Sequence, residues 1–170
     1  MGLFDFVKDA GERIFGGGEE APAAPAAPAG PDAGEAAREA ANKGAAVALA
    51  VQIRHLGFRV NDLQVEFDDG TATVHGSVAS QREREIVVLT AGNTKGVGRV
   101  DDRMTVDAPD PEPAAVMYTV ESGDTLSGIA KAQYGNAMKY VAIFEANKPM
   151  LEDPDKIYPG QVLRIPPLEG

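Results

Sequence analysis

Leu3, Val7, Ala10 and Ile14 recur at helical spacing while Asp5, Lys8, Asp9 and Glu12 fall on the opposite face, which predicts an amphipathic helix within residues 1–18. EEAPAAPAAPAGPDAG follows over 19–34, with Pro22, Pro25, Pro28 and Pro31 at a period of three, the mark of an extended polyproline II tether. The apolar stripe therefore has no immediate neighbour to pack on. An Ala-rich stretch over 35–56 predicts a second helix, stopped by Gly57. LQVEF and TATVHGSV then alternate apolar and polar residues around DDG, a hairpin pattern. Ser80 and Glu83 in SQRE form a capping box that starts the next helix, which runs through IVVL to Gly92, and GVGRVDDRMTV supplies a third strand.

A second break, APDPEPAA over 108–115, separates this unit from the last one. There a short strand leads to a helix start at Asp124, whose carboxylate can cap free N–H groups ahead of Leu126, Ile129 and Ala130. Gly135 stops that helix and Asn136 opens another, with Val141 and Phe144 expected to face its core. Asn147 with Pro149 ends it, and YPGQ turns the chain into a closing strand, VLRIP. The pattern predicts an α+β chain of two small domains: αββαβ over 35–107 and βααβ over 116–167, with the N-terminal helix and tether ahead of them.

Composition supports two small cores, since 44% of the 170 residues are hydrophobic. A net charge of −10 repels phosphate backbones, so no nucleic-acid partner is expected. Cysteine is absent, which removes disulfides and thiolate metal sites. No apolar run reaches membrane-span length, so no stable membrane insertion is expected. Asp5, Lys8, Asp9, Glu12 and Arg13 interrupt what a secretory signal needs to be continuous, and Phe6 stands where myristoylation wants Ser or Thr. The expectation is an unexported, cytoplasmic monomer. Catalysis has no candidate: His55 and His75 lack an arranged Ser or Asp partner, and Asp68-Asp69, Asp101-Asp102 and Glu152-Asp153 sit at turns or strand starts without calcium-loop spacing.

GTATVHGSVASQREREIVV leading into GVGRVDDRMTV resembles the BON domain, with Gly70, Gly76, Gly96-Val97 and Val100-Asp101-Asp102 at its signature positions. The resemblance implies a binding module associated with membranes and without catalytic residues. YTVESGDTLSGIA, then NK, then IYPGQVLRIP resemble the LysM domain. That likeness implies binding of N-acetylglucosamine polymers such as peptidoglycan in a shallow groove, with Gly123, Asp124, Thr125 and Leu126 on one side and Ile157, Tyr158, Pro159 and Gly160 on the other. Each of these residues also has a plain folding role, so the motif speaks to fold before it speaks to sugar.

A GLFDFVKDAGE start, a BON domain and a C-terminal LysM domain together resemble a family of small cytoplasmic bacterial proteins that bind potassium, although the Pro/Ala tether is longer here than that family leads one to expect. The resemblance implies K+ as the ligand and docking of the N-terminal segment on the BON domain. Closing the tether costs on the order of 2–3 kcal/mol beyond a constant, while burying Leu3, Phe4, Val7, Ile14 and Phe15 contributes about 1.5–3 kcal/mol each. A large monovalent cation suits several neutral carbonyl dipoles, and these are free where helices end. Val7, Ala10 and Glu12 surround one such end at Gly11; Gly92, Thr94 and Val97 lie at another, in the loop GNTKGVG. Without the family resemblance, ordinary helix stops solvated by water are the better reading of both. Two functions remain open on sequence: a cytoplasmic K+ sensor that compacts on ion binding, and an envelope protein that binds peptidoglycan; an unknown protein partner is open beside either.

Overall fold

Asp69 and Gly70 both take left-handed backbone angles, φ 40° and 79°, as a two-residue hairpin turn requires. They join β2 (Asn61–Asp68) to β3 (Thr71–Val78). A computed structural model describes residues 2–6, 31–57, 59–108 and 113–168, and in it this hairpin forms one side of a four-stranded sheet whose other strands are β1 (Gly2–Asp5) and β4 (Arg99–Val106), in the order β1-β4-β3-β2. The pairing of β3 with β4 (Arg99–Val106) is parallel, from Thr71 opposite Arg99 to Val78 opposite Val106. Parallel neighbours need a crossover, and here it is α2 (Gln81–Gly92).

The capping box works with one adjustment. Ser80 accepts the Glu83 N–H at 3.2 Å, but the Glu83 carboxylate reaches past Ser80 to the Ala79 N–H at 3.0 Å. From Glu85 to Gly92 every residue of α2 is buried, the condition that its all-round apolar run IVVL demands. The sheet lies on one side of it, α1 (Pro31–Arg54) packs beside it, and the second domain covers the rest. Leu49 and Ile53 carry the α1 contact to the core of Val74, Val87, Val88, Ala91 and Val100. Because α1 begins at Pro31, its first residues occupy part of the stretch read as tether; proline is tolerated in a first helical turn, where its missing N–H is not needed.

The largest departure from the sequence reading is at the N-terminus. Residues Gly2–Asp5 form a strand, β1, rather than the first turn of a helix, and pair antiparallel with β4, Phe4 facing Val100. The segment GLFDF satisfies two periods at once. Phe4 and Phe6 alternate inward onto the core while Leu3, 59% exposed, and Asp5 point outward. The free edge of β4 supplies backbone partners that an isolated helical turn lacks, and this decides between the periods. Residues 7–18, where the rest of the expected helix falls, lie outside the described residues.

The second domain follows the expected order: β5 (Val116–Thr119), α3 (Leu126–Tyr134), a 3-10 turn (Ala137–Lys139), α4 (Tyr140–Ala146) and β6 (Val162–Ile165), which pairs antiparallel with β5. Two local assignments change. Thr125, not Asp124, caps α3, its hydroxyl accepting the Gly128 N–H at 3.1 Å. Val141 is 49% exposed and Ile143 fills the core in its place, beside Leu126, Ile129 and Leu163. Gly135 stops α3 at φ 72° and Asn136 caps the next turn, as the sequence implies.

Gly92 has no room for a side chain: an added Cβ would lie 2.1 Å from the Phe6 ring. Gly92→Ala is therefore expected to cost about 1–3 kcal/mol by overpacking and to release β1 from the sheet. Faster hydrogen exchange at residues 3–6 is the readout. Adding Phe6→Ala in the same chain should cost less than the sum of the two single changes, because the clash is gone.

Candidate functional site

The buried helix α2 ends in the loop 93–98, and that loop is tied down from three directions. Within it, Asn93 N–H donates to the Leu89 carbonyl at 2.9 Å, Thr94 N–H to Ala91 at 3.2 Å and Val97 N–H to Thr94 at 3.1 Å. Towards α1, the Thr94 hydroxyl donates to the Thr90 carbonyl at 2.7 Å and lies 2.9 Å from the Gln52 side-chain amide oxygen. Towards the N-terminus, Phe6 N–H donates to the Gly98 carbonyl at 2.9 Å and the Phe6 ring covers Gly92. Among the described residues, the carbonyls of Gly92 and Val97 accept no backbone N–H, and that of Thr94 accepts one. Such carbonyls carry the negative end of the helix dipole.

Gly92 is the last residue of α2 and Thr94 and Val97 lie in the loop that follows it, with residues 2–6 laid beside that loop. Val7, Ala10 and Glu12 lie outside the described residues; what is visible is that the chain reaches residue 7 from a position bonded to Gly98. The Thr94 side chain bonds back to Thr90 of α2 and lies beside Gln52 of α1. Among the described residues no three of His, Cys, Asp and Glu gather into a metal-binding group. The donor set on offer at the loop is neutral oxygen, suited to a large, weakly demanding monovalent cation and ill suited to a small divalent one.

The third tie crosses to the second domain. Asn93 is fully buried; its side-chain Nδ2 donates to the Val162 carbonyl and its Oδ1 accepts the Val162 N–H, both at 2.9 Å. Asn147 does the same for Arg164, at 2.8 and 2.7 Å. Backbone groups of alternate strand residues face the same edge, so two asparagines close the edge of β6 that β5 leaves open. Next to them the Arg164 guanidinium forms a short, buried ion pair with Glu85 of α2, each side chain only 5% exposed. The other Glu85 oxygen accepts from Ala115 N–H and the Gln81 amide, both at 2.8 Å. These bonds join residues 69 and 79 positions apart. No local pattern announces them; the sequence signal is a lone base inside the apolar run VLRIP and an acid, Glu85, at the border of the apolar run IVVL.

The two loops read as a sugar groove also meet. Val120 N–H donates to the Gln161 carbonyl and the Gly160 N–H to the Val120 carbonyl, both at 2.8 Å, which fixes one loop against the other. Asp124 holds its own loop closed, accepting Glu121 N–H at 2.8 Å and the Tyr118 hydroxyl at 2.9 Å. That second bond holds the Tyr118 phenol above its ordinary pKa. Leu126 is buried and Ile157 packs on the core, so these two serve the fold. Gly123, Thr125 and Pro159 are exposed, and Tyr158 and Gly160 are partly so. The seam with the first domain runs along the outer edge of β6 and leaves these loops uncovered.

A four-stranded sheet with a crossover helix, and a βααβ unit seated on that helix, define a two-domain BON–LysM binding protein: the BON domain model matches residues 45–108 and the LysM domain model matches residues 118–166. The chain is 44% identical over 167 residues to the potassium binding protein Kbp of Escherichia coli O6:H1, covering 98% of this chain and 99% of that one, and it belongs to the Kbp family. It is also 32% identical over 115 residues to an uncharacterized protein of Deinococcus radiodurans, where the match spans 62% of this chain and 45% of the relative. Neither domain is catalytic in kind, and no helix among the described residues is long and apolar enough to cross a membrane.

Two substitutions test the seam. Glu85→Ala leaves Arg164 buried without its partner and is expected to lower stability by about 3–5 kcal/mol, whereas Glu85→Leu with Arg164→Met in one chain should recover most of that loss in a urea titration. Thr90 carries a buried hydroxyl with no partner among the described residues. Thr90→Val keeps the shape and removes the unsatisfied group, so a gain of about 1 kcal/mol is expected, visible as a higher Tm.

Proposed function

We propose that this protein is a cytoplasmic, monomeric K+ sensor. In it, main-chain carbonyls of Val7, Ala10 and Glu12 from the N-terminal segment, and of Gly92, Thr94 and Val97 from the α2 loop, replace the hydration shell of one K+ ion. The observation that supports this reading is the placement of residues 2–6: Phe6 bonds to Gly98 and its ring covers Gly92, beside a loop where the Gly92 and Val97 carbonyls take no backbone N–H among the described residues. Relatedness to Kbp along nearly the whole chain supports K+ as the ligand. Ion binding would join the N-terminal segment, the BON domain and the LysM domain, and so convert K+ concentration into a more compact protein that serves adaptation to high K+.

A second reading, peptidoglycan binding, is favoured by one feature: the two LysM loops stay uncovered at Gly123, Thr125 and Pro159 while Gly160 and Gln161 are bonded to Val120. The two readings separate in one set of measurements. Titration of the full chain with KCl, followed by NMR and small-angle scattering, should give a saturable change that NaCl does not reproduce. Co-sedimentation with insoluble peptidoglycan should be absent at physiological salt. Robust co-sedimentation with a flat K+ titration would reverse the assignment.

Because the proposed ligands are backbone atoms, the substitutions that matter are those that redirect the chain. Thr94→Pro removes the N–H that donates to Ala91 and should abolish the K+ response. Deleting residues 2–15 should also abolish it while both domains remain folded by circular dichroism. An unchanged titration in the truncated protein would remove the N-terminal segment from the site.

A further inference from the structure

Asn93 stands between Gly92 and Thr94, two of the proposed carbonyl ligands, yet its own side chain is committed to the other domain. The Gly92 carbonyl belongs to the same rigid peptide plane as the Asn93 N–H. A side chain pinned at Val162 therefore limits how that plane can turn. Asparagine suits the task because its amide offers one donor edge and one acceptor edge, matching the C=O and N–H of a strand residue. Asn147 shows the same chemistry used locally: it closes the Arg164 position from within the LysM domain and has no connection to the loop. Of the two asparagines, Asn93 alone places the LysM strand edge and the loop on one residue.

We propose that Asn93 is the positioning residue that couples cation binding to LysM docking. This rests on the K+ reading above. Docking on Val162 holds the Gly92 peptide in the orientation that faces the ion, although LysM itself supplies no ligand. Coupling of this kind is reciprocal: if docking raises the affinity for K+, K+ raises the affinity of docking by the same factor. The LysM domain then reports the state of a site it never touches.

The test uses the full-length chain and two readouts, K+ affinity by titration calorimetry and the K+-dependent shift of the Val162 and Arg164 amide resonances. Asn93→Ala should lower K+ affinity about tenfold, a typical coupling, and should leave the Val162 shift independent of K+. Glu85→Gln loosens the same seam from a position outside the loop; there, K+ should still drive the Val162 shift. Should Asn93→Ala fail to fold, Asn93→Ser, too short to bridge both backbone groups, carries the same comparison. Wild-type affinity with a K+-driven Val162 shift in the Asn93 variant would overturn the coupling and leave the K+ reading intact. A wild-type protein that does not respond to K+ at all would overturn both.

Discussion

A two-stranded sheet leaves two edges of unpaired backbone groups, and burying an edge without partners costs the desolvation of every N–H and C=O along it. In this protein the outer edge of β6 is buried, and side-chain amides satisfy it at alternate residues: Asn147 at Arg164 and Asn93 at Val162. The first belongs to the LysM domain and the second to the BON domain. The LysM fold is thus completed by a residue it does not contain, and the relative placement of the domains follows from that need. The Glu85–Arg164 pair adds to the seam under the same constraint, since a charge buried on either side is tolerated only while both are present.

The same helix that presents Asn93 and Glu85 is enclosed on all sides, by the sheet, by α1, by LysM and, at its last residue, by the Phe6 ring. Packing at this density leaves few small adjustments available. On the proposed reading, a change in the loop at the end of α2 would bias its neighbours between docked and undocked arrangements. Sensing, on this account, requires no rearrangement within either domain core, only that an ion favour the docked arrangement in which β1, the loop and LysM are all engaged.

Most of the architecture was legible in the sequence because local chemistry and global fold agree there. DDG made its hairpin, Ser80 its cap and Gly135 its helix stop, and the two domain signatures fell on the elements they implied. The failures share one cause. GLFDF fits a helical period, but the edge of β4, almost a hundred residues further along, makes it a strand. Asp124 and Thr125 are both sound capping residues; Tyr118 and the Glu121 N–H claimed the first and left the cap to the second. Asn93 carried no local signal because its partner lies in another domain. Of the proposed site, the α2 loop shows two carbonyls, those of Gly92 and Val97, that take no backbone N–H among the described residues, and Val7, Ala10 and Glu12 lie outside those residues, so the ion site itself stays a proposal.

The central claim is that backbone carbonyls gathered at the end of α2 hold a single monovalent cation. Rubidium is close enough to potassium to replace it and scatters anomalously, so a crystal of the full chain grown in RbCl locates the ion directly. The account predicts one anomalous peak, surrounded by main-chain oxygens that include those of Gly92, Thr94 and Val97. A peak bound by side-chain carboxylates, or one remote from this loop, would contradict it.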